Sequence, residues 1–219
     1  YYLTRKVFTI AKTSIASEFD WTLQQVAHIW TAYLTAYVFG QILSSFIGRR
    51  YGPRVLLLGG LGLSIAFNVV FGFANSYATF IAFMFFDGLV QASGWPGSVG
   101  GVAHWLRRSE RGTIMGVWST SYLIGNMLVK SLGGWLLGHW GWRWSFFGCT
   151  LISAAIWLLV WAWQRNRPSD VGLDPIVGER DGAGTSVEAS RADRVTFREY
   201  LQIALNPVVI TMGLSYFCI

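Results

Sequence analysis

The sequence predicts an all-α protein that crosses a membrane several times, and three observations lead to that fold class. Hydrophobic residues make up 53% of its 219 residues. Only 13% are charged, compared with roughly 25% in an average soluble domain. The basic residues behind the net charge of +6 occupy short segments between long apolar runs and not one polar face, which argues against a nucleic-acid-binding protein.

Five apolar runs are each long enough to cross about 30 Å of hydrocarbon as a helix. The predicted spans are residues 25–48, 55–74, 78–105, 113–138 and 144–164. The apolar runs at residues 1–14 and 208–219 are shorter than the length of about 20 residues that a span needs. We interpret them as parts of a first and a seventh helix, and the chain as a fragment of a longer polytopic protein.

Arginines follow every second predicted helix. They lie after the second, fourth and sixth helices, at Arg49, Arg50, Arg54, Arg107, Arg108, Arg111, Arg165 and Arg167. The opposite loops contain Glu18, Asp20, Asn75, Ser76 and Arg143. Because short loops rich in arginine stay in the cytoplasm, the first group is predicted to be cytoplasmic, in a plasma membrane of the bacterial inner-membrane type.

The predicted organisation has three parts. Residues 1–164 form a six-helix bundle with an incomplete first helix, residues 165–199 form a cytoplasmic linker, and residues 200–219 begin a second bundle. Six helices, a long loop and a further helix are typical of transporters built from two six-helix halves. Small residues in the fourth and fifth helices predict close helix packing. These are Gly94, Gly97, Gly100, Gly101, Gly125, Gly133 and Gly134.

Arg5 is a charged residue inside the predicted membrane region. It precedes the polar turn at Ser14 by about 14 Å of helical rise, which places it near the midplane. A charge there costs about 2.5 to 3.5 kcal/mol, so it needs an explanation. Arg5 is either a ligand for an anion, since its planar fork of donors matches phosphate or carboxylate, or half of a buried ion pair that holds helices together.

Asp87 is predicted at the same depth, about 15 Å from the outer end of the fourth helix near Tyr77. It offers Arg5 a partner, and three hypotheses follow. Substrate and Asp87 compete for Arg5 and so couple binding to helix movement, or the pair is purely structural. In the third hypothesis, Asp87 carries a proton in symport.

Other polar groups complete the candidate lining. Gln41 and Tyr122 can donate hydrogen bonds to an oxyanion, and Trp118 can pack on the carbon skeleton of a substrate. Lys130 is within reach of either a central cavity or the membrane interface. The alternative for the Gln and Tyr side chains is a hydrogen bond between helices.

Neither an enzyme, a metal site nor a cofactor is expected. The two cysteines lie inside apolar runs, and the three histidines are too scattered for a metal site. No pair of nucleophile and base and no phosphate-binding glycine loop is visible in the sequence.

Several short motifs occur in a characteristic order. They are YYLTRKVF at 1–8, GWP at 94–96, HW at 104–105, SERG at 109–112, VW at 117–118 and RPSDVGL at 167–173. With these motifs the sequence resembles the organophosphate:phosphate antiporter family of the major facilitator superfamily. The resemblance implies two six-helix bundles around a central cavity, alternating access, and phosphate binding by Arg5 together with a second arginine from the carboxy-terminal bundle.

Two departures from the family pattern stand out. Glycerol-phosphate-type members have a lysine in the second helix and a histidine in the fifth, where this chain has Gln41 and Tyr122. A glycerol-phosphate specificity is therefore not carried over. The superfamily signature GxxxDRxGxR has an acid where this chain has Arg49, followed by Arg50. We expect an altered balance between inward-facing and outward-facing states, unless a charge-reversed partner compensates or these arginines only set topology.

The sequence therefore predicts a monomeric secondary transporter in the lipid bilayer. It moves an organic anion, a phosphorylated metabolite, in exchange for inorganic phosphate. One alternative is a proton- or cation-coupled symporter of carboxylates or other organic anions on the same fold. Another is a transporter-like sensor of sugar phosphates.

Overall fold

The computed structural model describes residues 1–174, and all of their regular secondary structure is helical. The helices are α1 (Tyr2–Glu18), α2 (Leu23–Gly72), α3 (Tyr77–Gln91), α4 (Gly94–Ala103), α5 (Arg108–Trp140) and α6 (Trp142–Trp163), followed by a short 3-10 helix (Pro168–Val171). The predicted linker beyond residue 174 and the predicted start of a second bundle, 200–219, lie outside the described residues. The all-α prediction is confirmed.

The second and third predicted spans form two limbs of α2. They meet at Gly52, whose φ of 83° lies in the left-handed region that glycine tolerates. Pro53 begins the second limb, where its missing N–H costs no helical hydrogen bond. The predicted spans 25–48 and 55–74 are thus helical, and the arginine-rich turn between them is short.

The fourth predicted span, 78–105, is not one continuous helix. It breaks at Ala92 and Ser93 into α3 and α4. Pro96 has no N–H, so the carbonyl of Ala92 lacks its helical donor. At the same break, the Ser93 hydroxyl donates to the carbonyl of Val90 at 2.7 Å. The single helix predicted over this region is therefore corrected to two.

Close helix packing depends on glycine, as predicted for the fourth helix. A Cβ added at Gly94 would lie 2.9 Å from the Tyr1 ring, and one at Gly97 would lie 2.8 Å from Leu57. Two equally tight contacts with backbone atoms, at Gly40 and at Gly88, were not predicted. A Cβ at Gly88 of α3 would lie only 2.4 Å from the carbonyl oxygen of Tyr33 on α2, so these two helices are in backbone contact.

The surface of the bundle suits lipid. Large apolar side chains such as Met127, Leu151 and Trp163 are more than two-thirds exposed, and extended exposed apolar surface marks a membrane or partner contact. By length and composition, α2 and α6 are each apolar enough to cross a membrane. The aromatic core lies inside this apolar surface, where Phe71 packs on Phe80 and Phe146 at ring-centroid distances of 4.6 Å.

Candidate substrate site

Arg5 lies on α1 with its guanidinium over the aromatic face of α2. Its Cζ is 4.8 Å from the ring centroid of Tyr37 and 5.5 Å from that of Tyr33. Both distances are within the range of cation–π attraction. The opposite face of α1 is buried through Val7 and Ala11. The helix therefore directs Arg5 away from the packed core of the bundle.

The Arg5 side chain has a hydrogen-bond donor that is not used within residues 1–174. Within residues 1–174, its buried Nε has no hydrogen-bond partner, and neither does the buried hydroxyl oxygen of Tyr33. Among residues 1–174, no carboxylate lies within ion-pair distance of the Arg5 guanidinium. Buried polar atoms nearly always have a protein or water partner, so this region is polar and incompletely satisfied by the described residues.

Asp87 is level with this region, but the ion pair expected between Arg5 and Asp87 is not formed. Asp87 is only 5% exposed, and its Oδ1 accepts a hydrogen bond from Ser64 at 2.6 Å and a longer one from Asn68 at 3.4 Å. Ser64 and Asn68 are one turn apart on α2, so both face Asp87. The carboxylate is hydrogen-bonded to the second limb of α2 and forms no ion pair with Arg5.

The polar network around Asp87 nevertheless reaches α1. The side-chain amide of Gln91 donates to Thr4 at 2.7 Å and to Ser64 at 2.9 Å, and Ser64 also lies 3.2 Å from Thr4. Thr4 immediately precedes Arg5. The network thus joins α1, α2 and α3 beside the candidate anion ligand, although Asp87 does not touch that ligand.

Several of these polar and aromatic residues were not predicted from the sequence. Tyr33 and Tyr37 precede Gln41 at intervals of four residues, which puts all three on one helix face. The same spacing relates Asp87 to Gln91. A search for polar or tyrosine side chains at intervals of four within apolar runs would have found both sets.

The remaining predicted lining residues have different surroundings. Gln41 is half-buried on the stripe that carries Tyr37. Tyr122 is 49% exposed and its ring meets Tyr2 edge-on at 5.3 Å. Trp118 packs on Trp95, with ring centroids 5.0 Å apart. Direct contact of any of these side chains with a substrate stays a prediction.

Arg49 and Arg50 lie at the predicted cytoplasmic turn of α2, far along that helix from Tyr37, whose ring Arg5 contacts. Each guanidinium lies over an aromatic ring of its own helix, Arg49 over Phe46 at 5.6 Å and Arg50 over Tyr51 at 5.4 Å. Both line a groove of about 630 Å³. Its wall also contains His104, Arg167 and Asp170. Their role in gating stays a prediction.

Three features are typical of a polytopic membrane protein of the carrier type. Glycines allow close contact between helices, charged residues lie inside an apolar bundle, and arginines are concentrated in the predicted cytoplasmic turns. A family model described as Major Facilitator Superfamily matches residues 1–219, and the chain belongs to that superfamily. It is an integral, multi-pass membrane protein. Since this is a superfamily of transporters, the expectation that the chain is not an enzyme is confirmed.

The similar proteins indicate which family within the superfamily this chain resembles. The chain is 30% identical over 216 residues to a "Probable hexose phosphate transport protein" of Chlamydia pneumoniae, covering 98% of this chain and 48% of that protein. It is 30% identical over 212 residues to a "Glycerol-3-phosphate transporter" of Bacillus subtilis, covering 94% and 48%. It is 35% identical over 150 residues to the "Glucose-6-phosphate exchanger SLC37A2" of Bos taurus, covering 66% and 30%.

These relatives confirm the resemblance to the organophosphate:phosphate antiporter family. The chain spans about half the length of the Chlamydia and Bacillus relatives.

Proposed function

We propose that the whole protein is a secondary transporter that exchanges a phosphorylated metabolite for inorganic phosphate by alternating access, with Arg5 as the cation that binds the phosphoryl group. The single observation that carries this proposal is the Arg5 guanidinium, which stacks on Tyr37 and has no acidic partner among residues 1–174. The names of the similar proteins support phosphorylated substrates.

The proposed role follows from the chemistry of the guanidinium. Arginine keeps its charge and presents a rigid fork of donors, so it binds phosphate through two parallel hydrogen bonds. The rings of Tyr33 and Tyr37 support one face of the fork and hold its orientation. Because binding near the midplane at the interface of two bundles is accessible from each side in turn, the same residue serves both phosphate and the organic substrate. We further propose that one chain with both bundles is the functional monomer.

The experiment compares two arginine-to-lysine variants of the full-length protein in proteoliposomes loaded with phosphate. Arg5→Lys keeps the charge but loses the planar fork, so phosphate exchange should fall at least about 100-fold, the effect of losing about 2.7 kcal/mol. Arg165→Lys, at a partly buried position far along the chain from Arg5, whose guanidinium donates to the carbonyl of Ala162, should exchange normally. Normal exchange by Arg5→Lys at equal expression would refute the proposal.

A second candidate function is proton-coupled symport of an organic anion, and the burial of Asp87 favours it. This carboxylate has hydroxyl and amide partners and no basic side chain at ion-pair distance within residues 1–174. Under this hypothesis, uptake needs a proton gradient, needs no counter-substrate and disappears in Asp87→Asn. Under the leading proposal, Asp87→Asn keeps exchange, because the asparagine carbonyl still accepts from Ser64. Measuring uptake with and without internal phosphate separates the two.

A further inference from the structure

Two lysines on neighbouring helices lie at the same depth as Arg5. On α1, Tyr2 packs at Gly125 of α5, where an added Cβ would be 3.3 Å from the tyrosine, and Ile10 packs at Gly133, at 3.2 Å. The two contacts have the same spacing on both helices, so α1 and α5 run side by side in the same direction. Lys6 lies midway between Tyr2 and Ile10 at intervals of four residues, which places it on the face of α1 toward α5.

This register brings Lys6 close to Lys130. The position on α5 midway between the two glycine contacts is Val129, which is fully buried, and Lys130 is the next residue. The two lysines therefore differ in depth by about one helical rise, or roughly 1.5 Å. The charge of Lys130 acts on Lys6 together with that of Arg5.

Both lysines are too deep to reach the outer interface easily. Helical rise separates Lys6 from Glu18 at the end of α1 by about 18 Å, and Lys130 from Trp140 at the end of α5 by about 15 Å. Each is therefore near the middle of a hydrocarbon layer of about 30 Å. Charged groups at this depth face a bundle interior or a water-filled cavity, because exposure to lipid is costly.

The cluster of Arg5, Lys6 and Lys130 contains more positive charge than one phosphoryl group can contact. Arg5 and Lys6 are consecutive, so their side chains diverge by about 100° around α1, and Arg5 lies over the rings of α2 while Lys6 faces α5. Across residues 1–174, neither lysine amine has a carboxylate at ion-pair distance. Cavities lined by charges of one sign concentrate ions of the opposite sign.

We propose that Lys6 and Lys130 form a second anion subsite beside Arg5, and that the organic substrate is a phosphoester carrying a second anionic group. This inference rests on the proposed function, since it takes Arg5 as the ligand of the phosphoryl group. Arg5 binds that group on the α2 side, and the lysine pair binds the second anion on the α5 side. Of these three cations, inorganic phosphate needs only Arg5.

The test uses two phosphoesters that differ in one group. 3-Phosphoglycerate has a carboxylate where glycerol 3-phosphate has a hydroxymethyl group, and each is measured as a competitor of radiolabelled phosphate exchange by the full-length protein in proteoliposomes. A hydrogen-bonded charge contributes about 1.5 to 3 kcal/mol, so 3-phosphoglycerate should compete at concentrations about tenfold lower or more. Lys130→Gln and Lys6→Gln should each remove most of that difference, measured for each variant relative to its own phosphate self-exchange.

The controls separate this inference from the proposed function. Lys130→Arg retains the charge and should retain the preference, and Lys12→Gln, at an exposed lysine nearer the outer end of α1, should leave it unchanged. Equal competition by the two phosphoesters, an unchanged preference in Lys130→Gln, or the same loss in Lys12→Gln overturns the second subsite. An acid supplied by the rest of the protein to neutralise the lysines would produce the first of these results. Loss of exchange in Arg5→Lys, measured with phosphate alone, tests the proposed function independently.

Discussion

Two arginines of this bundle have opposite surroundings. Arg143, where α6 begins, donates to Glu18 at 2.6 Å and to Asn75 at 3.0 Å, and its Cζ lies 4.4 Å from the Trp142 ring centroid. Arg5, on the face of α1 away from the packed core, has tyrosine rings on one side and an Nε that has no partner among residues 1–174. The guanidinium donors of Arg143 thus join helix ends, whereas the Nε donor of Arg5 has no partner among residues 1–174. The difference indicates which arginine serves structure and which serves a ligand.

The largest effect is expected from disturbing the backbone contact behind the Arg5 region. In Gly88→Val, the new Cβ would be 2.4 Å from the carbonyl oxygen of Tyr33, so α3 must move away from α2 and the ring under Arg5 shifts. We expect loss of the folded, monodisperse protein, because overpacking typically costs about 1 to 3 kcal/mol or more. Gly134→Ala, where an added Cβ meets no atom of the described residues within 4 Å, is the control. Detergent size-exclusion chromatography measures both, and a normal Gly88→Val profile would contradict the packing described here.

Gln91→Leu should loosen α1 next to Arg5 without touching Arg5. The change removes the donor to Thr4 and Ser64 and leaves those buried groups with fewer partners, at a cost of about 1 to 3 kcal/mol. We expect a lower melting temperature together with weaker phosphate exchange. The exposed Gln24→Leu on α2 is a control for the loss of an amide. If Gln91→Leu lowers stability and leaves the affinity for phosphate unchanged, the network does not position Arg5.

Removing one aromatic ring tests the support of the Arg5 guanidinium. Tyr37→Leu deletes a cation–π contact of about 0.5 to 2 kcal/mol, so the affinity for phosphate should fall by a factor of about 2 to 30. Tyr37→Phe keeps the ring and should keep most of the affinity. Phosphate exchange at varied phosphate concentration measures the three proteins. Equal losses in both variants would assign the role to the hydroxyl and not to the ring.

The smallest effect is expected at the other arginine. Partial burial raises the pKa of Glu18, but hydrogen bonds from Arg143 and Trp142 outweigh that effect and hold the pKa below its usual range. Because a lowered pKa favours the charged form in the folded state, the stabilisation is present at neutral pH and is lost as the pH falls through the pKa of folded Glu18. The Glu18 and Arg143 side chains are 40% and 36% exposed, so Glu18→Gln should cost at most about 1 kcal/mol.

Thermal melts of wild type and Glu18→Gln at neutral and acidic pH test this prediction. The small difference between the proteins should vanish in acid, with phosphate exchange unaffected at neutral pH. If Glu18→Gln lost as much exchange as Arg5→Lys, the assignment of Arg143 to structure and of Arg5 to ligand binding would be wrong.

Helix positions were predictable because hydrophobic length and the placement of glycine and proline act locally. The turn at Gly52 and Pro53 falls between two predicted spans, and the apolar runs became helices. The break at Ala92 and Ser93 was missed, since Pro96 lies inside an apolar run where most prolines are tolerated by neighbouring helices. The level of Asp87 relative to Arg5 was also predictable from the helical rise, and it agrees with the hydrogen bond from Gln91, one turn from Asp87, to Thr4, which precedes Arg5.

Partners across helices were not predictable in the same way. Arg5 and Asp87 have similar depth, yet one faces Tyr37 and the other faces Ser64. Helical rise determines how deep a residue lies, but its partner depends on how each helix is rotated and on which helices are neighbours. Contacts between residues far apart in the chain, such as that of Gly88 with Tyr33, determine the rotation of each helix and its neighbours. The sequence alone thus determined the apolar helices, their family and the relative levels of the charges, because these depend on composition and helical rise, and only tertiary packing decided which charges have partners among residues 1–174.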